Sequence, residues 1–282
     1  MKTCIVLPFA AALLALPTAR AQEPHEPPKP QQPATRPEVT LVPLATLAGA
    51  VVHHAEATAG EGGTRAFTPF AVVRDATFAP DGRLLALLVE SADTQDKQGE
   101  RRELPAKALL WDATAQRWCT DDPNLRFASL TAPADPAPIA EGAAKPAARA
   151  ILASDLARAT CKPARGPAAT ASDATATNVA KAAPVLWFAP AQRALVFAAI
   201  ENDGKRVLLP WGALKVGEGK EGCELSLDAA AARLADAPVC TKPDEPPPAA
   251  LRRRSYEHFA VPIPRWETPN ERAGEHGGGG AR

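Results

Sequence analysis

Only one methionine and one tyrosine occur in 282 residues, and aromatic residues make up 5% of the chain. Any core must therefore be built from Leu, Val, Ala and Ile around a few Phe and Trp. Charge of neither sign is in excess: 32 basic residues balance 32 acidic ones. That balance gives no global electrostatic attraction for nucleic acid. Cys-x-x-Cys spacing is absent, which argues against a structural zinc site or a thioredoxin-like redox site. No Gly-x-Ser-x-Gly elbow is present, which removes the α/β-hydrolase nucleophile. Nowhere does an apolar run reach the roughly 20 residues that cross a bilayer.

Proline, by contrast, is abundant. Thirty prolines concentrate at 24–43, 132–167 and 238–264. These stretches hold few large apolar residues and read as linkers and tails. The chain opens with Met1-Lys2, a mostly apolar run from Ile5 to Leu16, and Ala19-Arg20-Ala21. A basic start, a short apolar stretch and an Ala-x-Ala end describe a secretory signal peptide at 1–21, cleaved after Ala21. Cleavage leaves 30 basic and 32 acidic residues, a formal charge of −2. The expected mature chain is exported, periplasmic or secreted, with no membrane span. Four cysteines then remain: Cys119, Cys161, Cys223 and Cys240. An even number in an oxidising compartment predicts two structural disulfides, with three pairings open.

The two remaining stretches resemble each other. Leu47-Ala48-Gly49-Ala50-Val51 recurs as Leu156-Ala157-Arg158-Ala159-Thr160. Phe78-Ala79-Pro80-Asp81-Gly82-Arg83 recurs as Phe188-Ala189-Pro190-Ala191-Gln192-Arg193. Leu104-Pro105-Ala106-Lys107-Ala108-Leu109 recurs as Leu209-Pro210-Trp211-Gly212-Ala213-Leu214. The order is the same in both halves, at offsets of 109, 110 and 105 residues. The change of offset falls at a hairpin tip, where Ser91 to Arg101 replaces the shorter Asn202-Asp203-Gly204 turn, and tips tolerate insertion. Apolar runs about tight Gly turns predict hairpins in each copy. Several short strands at even spacing predict a small barrel. Asp228 before Ala229 to Ala235 adds a capped helix to the second copy, and Pro123 to Leu130 is its fainter counterpart in the first.

The segment Lys205-Arg206-Val207-Leu208-Leu209-Pro210-Trp211-Gly212-Ala213-Leu214-Lys215-Val216 resembles the PRC-barrel family. So does Leu225-Ser226-Leu227-Asp228 with Arg233-Leu234-Ala235-Asp236-Ala237-Pro238. The first copy keeps Leu104-Pro105 and Ala108-Leu109 but has Ala106 where the second has Trp211. The resemblance implies a mainly β chain with two tandem PRC-like barrels, each with a short C-terminal helix. The expected order is signal peptide 1–21, Pro-rich linker 22–43, first barrel 44–130, Ala/Pro linker 131–149, second barrel 150–238 and flexible tail 239–282. Gly166 to Ala183 is Ala/Thr-rich where a strand belongs, so the second barrel is expected to be open or distorted there. The orientation of the copies, and whether they pack as a pseudo-dimer, stays open. In the reaction-centre H subunit and a ribosome maturation factor this domain is a non-catalytic scaffold that contacts other proteins.

Apparent catalytic motifs have plainer readings. Gly217-Glu218-Gly219-Lys220-Glu221-Gly222 matches G-x-G-x-x-G, but it precedes a strand pattern and carries two carboxylates, so it is expected to be a hairpin tip rather than a phosphate cradle. His276-Gly277-Gly278-Gly279 lacks a nucleophile partner and belongs to a Gly-rich tail. His53 and His54 are adjacent, and on a strand they point to opposite faces, which opposes a shared metal. Arg252-Arg253-Arg254 with Tyr256, Phe259 and Trp266 forms a candidate interaction tail, whose aromatics point to docking on a barrel or on a partner. No catalytic, cofactor or metal residue emerges. The expected function is a non-enzymatic protein-interaction or scaffold module of the cell envelope or periplasm, with an unidentified protein partner. A small-ligand or metal-binding barrel is the alternative, and a hydrolase built on a Ser or Asp/Glu pair between the barrels is the third reading.

Overall fold

A computed structural model describes residues 39–55, 66–93, 99–133, 150–163, 183–219, 222–227, 234–242 and 244–267. The expected signal peptide, most of both linkers and the His276–Gly279 tail lie outside the described residues. The chain is mainly β, and its curled sheets form a half-barrel.

The first copy runs β1 (Val42–Pro43), a 3-10 turn Leu44–Leu47, β2 (Val51–Ala55), β3 (Phe67–Phe78), β4 (Leu84–Ser91), β5 (Arg101–Pro105), a 3-10 turn Ala106–Ala108, β6 (Leu109–Asp112) and β7 (Arg117–Thr120). The second repeats it: β8 (Ile151–Leu152), the one-turn helix α1 (Ala153–Leu156), β9 (Thr160–Pro163), β10 (Val185–Ala189), a 3-10 turn Pro190–Gln192, β11 (Ala194–Asn202), β12 (Lys205–Pro210), a 3-10 turn Trp211–Ala213, β13 (Leu214–Gly219) and β14 (Gly222–Leu227). In both, three strands form an antiparallel meander, β3-β4-β5 or β10-β11-β12. A following hairpin, β6-β7 or β13-β14, sets its second strand parallel to β2 or β9. Asp203 and Gly204 at the β11–β12 tip both have positive φ, 49° and 74°, the type I′ geometry that matches strand twist. Gly217 to Gly222 is a hairpin too, with Gly219 opposite Gly222.

The copies differ where the sequence is Ala/Thr-rich. β2 pairs with β3, so the first copy makes one continuous sheet. Among the described residues β9 pairs only with β14, so the second copy splits into two sheets; residues 164–182 lie outside the description. The helix expected at 228–235 is described only at Leu234 and Ala235, which are helical, and the first copy's counterpart is a 3-10 turn, Phe127–Ser129.

The copies complete one another. β1 of the first pairs with β10 of the second, Val42 opposite Phe188 and Pro43 opposite Trp187. β8 of the second pairs with β3 of the first, Ile151 opposite Phe78 and Leu152 opposite Thr77. Each copy thus lends the other its leading strand. At the centre Arg83 opposes Ala194; Leu84 N–H donates to the Arg193 carbonyl at 2.7 Å and Leu195 N–H to the Gly82 carbonyl at 2.8 Å. These two hydrogen bonds are the same bond seen from either copy, as about a twofold axis. One core runs through both, from Val52, Phe78, Leu87 and Leu104 to Leu156, Phe188, Leu209 and Leu225, all fully buried. A pseudo-dimer is the architecture, and burial on this scale, about 1.5–3 kcal/mol per large apolar side chain, holds it together.

Three boundaries move. Linker 22–43 ends in structure: Leu41 is buried and Val42–Pro43 is β1. Linker 131–149 begins in structure, because Thr131 bridges Glu103. Finally, the tail expected to be flexible folds. Residues 249–259 form an eleven-residue helix, α2 (Ala249–Phe259), and the chain continues in contact with the body as far as Trp266 and Glu267. None of the described helices is long and apolar enough to cross a membrane.

Candidate binding face

Each meander has one face on the shared core and one face outward, because strand side chains alternate. The registers align the outward faces position by position. Thr77 opposite Ala86 in the first copy corresponds to Trp187 opposite Phe197 in the second. Leu88 opposite Glu103 corresponds to Ala199 opposite Leu208. Pro105 and Pro210 end the equivalent strands.

In the second copy this face is covered. Trp187, Val196, Phe197, Ala199 and Leu208 form a second apolar cluster with Leu41, Cys240 and Tyr256. Residues after β14 build the cover. Leu208 N–H donates to the Pro238 carbonyl and Cys240 N–H to the Arg206 carbonyl, which sets the chain along β12. α2 then lies across the sheet. Ser255 Oγ donates to the Leu208 carbonyl at 2.7 Å, and the Tyr256 ring packs on Phe197 with centroids 5.0 Å apart.

An ion pair latches the arm. Arg252 Nε lies 2.9 Å from Glu267 Oε1, and both side chains are nearly inaccessible. Arg252 also donates through a terminal nitrogen to the Pro247 carbonyl at 3.0 Å. The Arg252-Arg253-Arg254 run is therefore no basic patch. Successive helical residues point about 100° apart: Arg252 turns inward, Arg253 pairs with Glu257 on the surface, and Arg254 is exposed. Tyr256 and Phe259 are buried and Trp266 is half-buried against the outer cluster. Of the two places open to these aromatics, a barrel or a partner, the structure shows the tail docked on the chain's own second copy. The missed signal is helical spacing, which places Arg252, Ser255, Tyr256 and Phe259 on one face. Burial drives the Tyr256 hydroxyl well above its usual range, with Glu267 adding and Arg252 opposing.

In the first copy Ala86 and Leu88 of the corresponding face are buried, but among the described residues no helix lies across it and one end is open. Leu85 is 38% exposed, and a cavity of about 280 Å³ is lined by Thr77, Leu85, Ala86, Glu103, Pro105 and Thr131, with Ala150 at its rim. The cavity exists because Thr77 and Ala86 stand where the second copy carries Trp187 and Phe197. Glu103 sets a carboxylate where the second copy has Leu208. Nothing in the sequence pattern distinguished this face, because its residues read as ordinary half-buried strands.

The other candidate residues lie apart. None of these four cysteines forms a disulfide, and no pair sits at disulfide distance, so the two expected bridges are absent. Cys119 is buried on β7, and Cys240 sits in the outer cluster with its thiol toward the Lys242 carbonyl. Cys161 and Cys223 are closest in register: Cys161 opposes Leu225, two residues from Cys223 on the same face. A disulfide needs Cβ atoms about 3.5–4.5 Å apart, and adjacent parallel strands place a diagonal pair farther than that. Burial pushes the Cys161 thiol up to about 12, with Cys223 adding, and Cys223 up to about 11, with Asp155 adding. His53 and His54 have different neighbours. His54 Nδ1 shares a hydrogen bond with Thr120 Oγ1 at 2.9 Å and its ring meets Phe70, whereas His53 meets Phe67 edge-on. Burial, helped by Arg117, keeps the His53 pKa below its usual value. Among the described residues no three His, Cys, Asp or Glu side chains converge to hold a metal ion.

Compared with known proteins, the sequence matches no family model and no curated protein.

Proposed function

We propose that the chain is a non-enzymatic protein-interaction module that works in the cell envelope or periplasm, built as two PRC-like repeats. One observation carries this reading: one body presents two equivalent sheet faces, and among the described residues only the second is covered by a helix of the chain itself. Leu85, exposed beside a concavity lined by Thr77, Ala86, Glu103 and Pro105, is the apolar surface a partner would cover. Export rests on the leader at 1–21.

Two measurements test it. Mass spectrometry of exported protein should show Gln22 as the first residue. Chemical crosslinking of the mature chain in envelope extract should yield a defined adduct that the variant Leu85→Lys loses. A retained Met1 would remove the envelope from the proposal, and an absence of adducts would remove the interaction.

A further inference from the structure

We infer that the open face of the first repeat takes an amphipathic helix from a partner protein, one that inserts a large aromatic or aliphatic side chain between Thr77 and Ala86 and sets a lysine or arginine against Glu103. This deepens the interaction reading and rests on it.

The chain itself supplies the template. On the equivalent face of the second repeat the occupant is a helix, α2, lying across β12 with an aromatic ring, Tyr256, on Phe197. The strands beneath have the same register in both repeats, so the first repeat offers a helix the same trough. Three substitutions then define how the occupant must differ from α2. Thr77 for Trp187 and Ala86 for Phe197 remove two aromatic side chains from the floor, so bulk that the second repeat provides must come from the guest. Glu103 for Leu208 places a carboxylate at the edge strand, so an apolar guest there would desolvate a charge without a partner, whereas a guest cation pairs with it. Leu85, exposed and beside the cavity, supplies the apolar flank that a helix would cover. Helix-in-groove recognition of this kind places its anchors one turn apart, which matches an aromatic in the cavity and a cation at the rim.

The probe is a displayed library of helical peptides panned against the full chain and counter-selected on Ala86→Phe, which copies the second repeat's own residue. The expected winners carry a large apolar residue and a Lys or Arg three or four positions away. A synthetic winner should bind at least about tenfold more weakly to Thr77→Trp, Ala86→Phe and Glu103→Lys, with the melting temperature of each variant unchanged or raised. Winners that bind these variants as well as the parent chain would overturn the inference. A second arm separates the groove from the interaction as such. A photo-crosslinking residue, p-benzoylphenylalanine, replaces Leu85 in the groove or Leu110, an exposed leucine on β6. Adducts from position 85 that the synthetic winner displaces support the groove. Adducts from position 110 alone overturn the groove and leave the interaction reading standing, and none from either position overturns both.

Discussion

Phe78 and Phe188 meet edge to face at the centre of the molecule, their ring centroids 5.7 Å apart. Each is the last large apolar residue of its strand, each is fully buried, and each faces its own copy's counterpart across the pseudo-twofold relation. Truncating either should remove packing from both copies at once. Phe78→Ala and Phe188→Ala should each cost about 3–5 kcal/mol. Urea unfolding followed by tryptophan fluorescence should show a single transition in both variants. It should shift by the same amount whether Trp118 or Trp187 is retained as the reporter.

Gly82 is held at φ +86°, and a Cβ built there would lie 2.5 Å from Trp211 Cδ1 and Nε1. Trp211 in turn donates Nε1–H to the Pro80 carbonyl at 3.3 Å, so it packs a turn of the other copy. Gly82→Ala should cost about 2–4 kcal/mol, from left-handed strain plus overpacking. Adding Trp211→Ala should restore only the overpacking part. A double-mutant cycle by thermal unfolding measures the coupling.

The repeat was readable in the sequence because the residues that recur are the ones that fix geometry. Leu47 and Leu156 end equivalent turns, Phe78 and Phe188 are the last large apolar residues of equivalent strands, and Leu104-Pro105 and Leu209-Pro210 end the meanders. The hairpins followed from Asn202-Asp203-Gly204 and from the glycines at 217–222. The exchange of β1 and β8 was not readable: two residues of strand carry no period, and pairing between copies is a long-range choice. The arm was misread because proline density at 238–264 looked like linker. Those prolines precede α2 or follow it, where proline is tolerated, and the helix itself, Ala249–Phe259, has none.

Arg252 and Glu267 form a buried pair on the arm. Arg252→Met removes the guanidinium paired with the buried Glu267 carboxylate and should cost as much as about 3–5 kcal/mol of the arm's docking. Arg252→Met with Glu267→Leu should recover most of it. Hydrogen exchange over 249–259 reports the effect directly, with fast exchange in the single variant and slow exchange in the double.

The Cys161 and Cys223 thiols are raised from an ordinary 9.0 to about 12 and about 11. The folded chain favours their neutral form more than the unfolded chain does. Stability from this source is complete below pH 9 and is lost as pH rises from 9 through 11 and 12. The double variant Cys161→Ser, Cys223→Ser should show a shallower fall between pH 9 and 11 in urea titrations. In native protein at pH 8 both thiols should react with Ellman's reagent far more slowly than in urea.

The two repeats are halves of one folding unit, joined by exchanged strands and one core. Producing 39–133 and 150–267 as separate chains tests it most directly. Neither alone should show a cooperative thermal transition, and mixing them should give a one-to-one complex that melts as a single species. A cooperative transition from either half alone, with no complex on mixing, would contradict it.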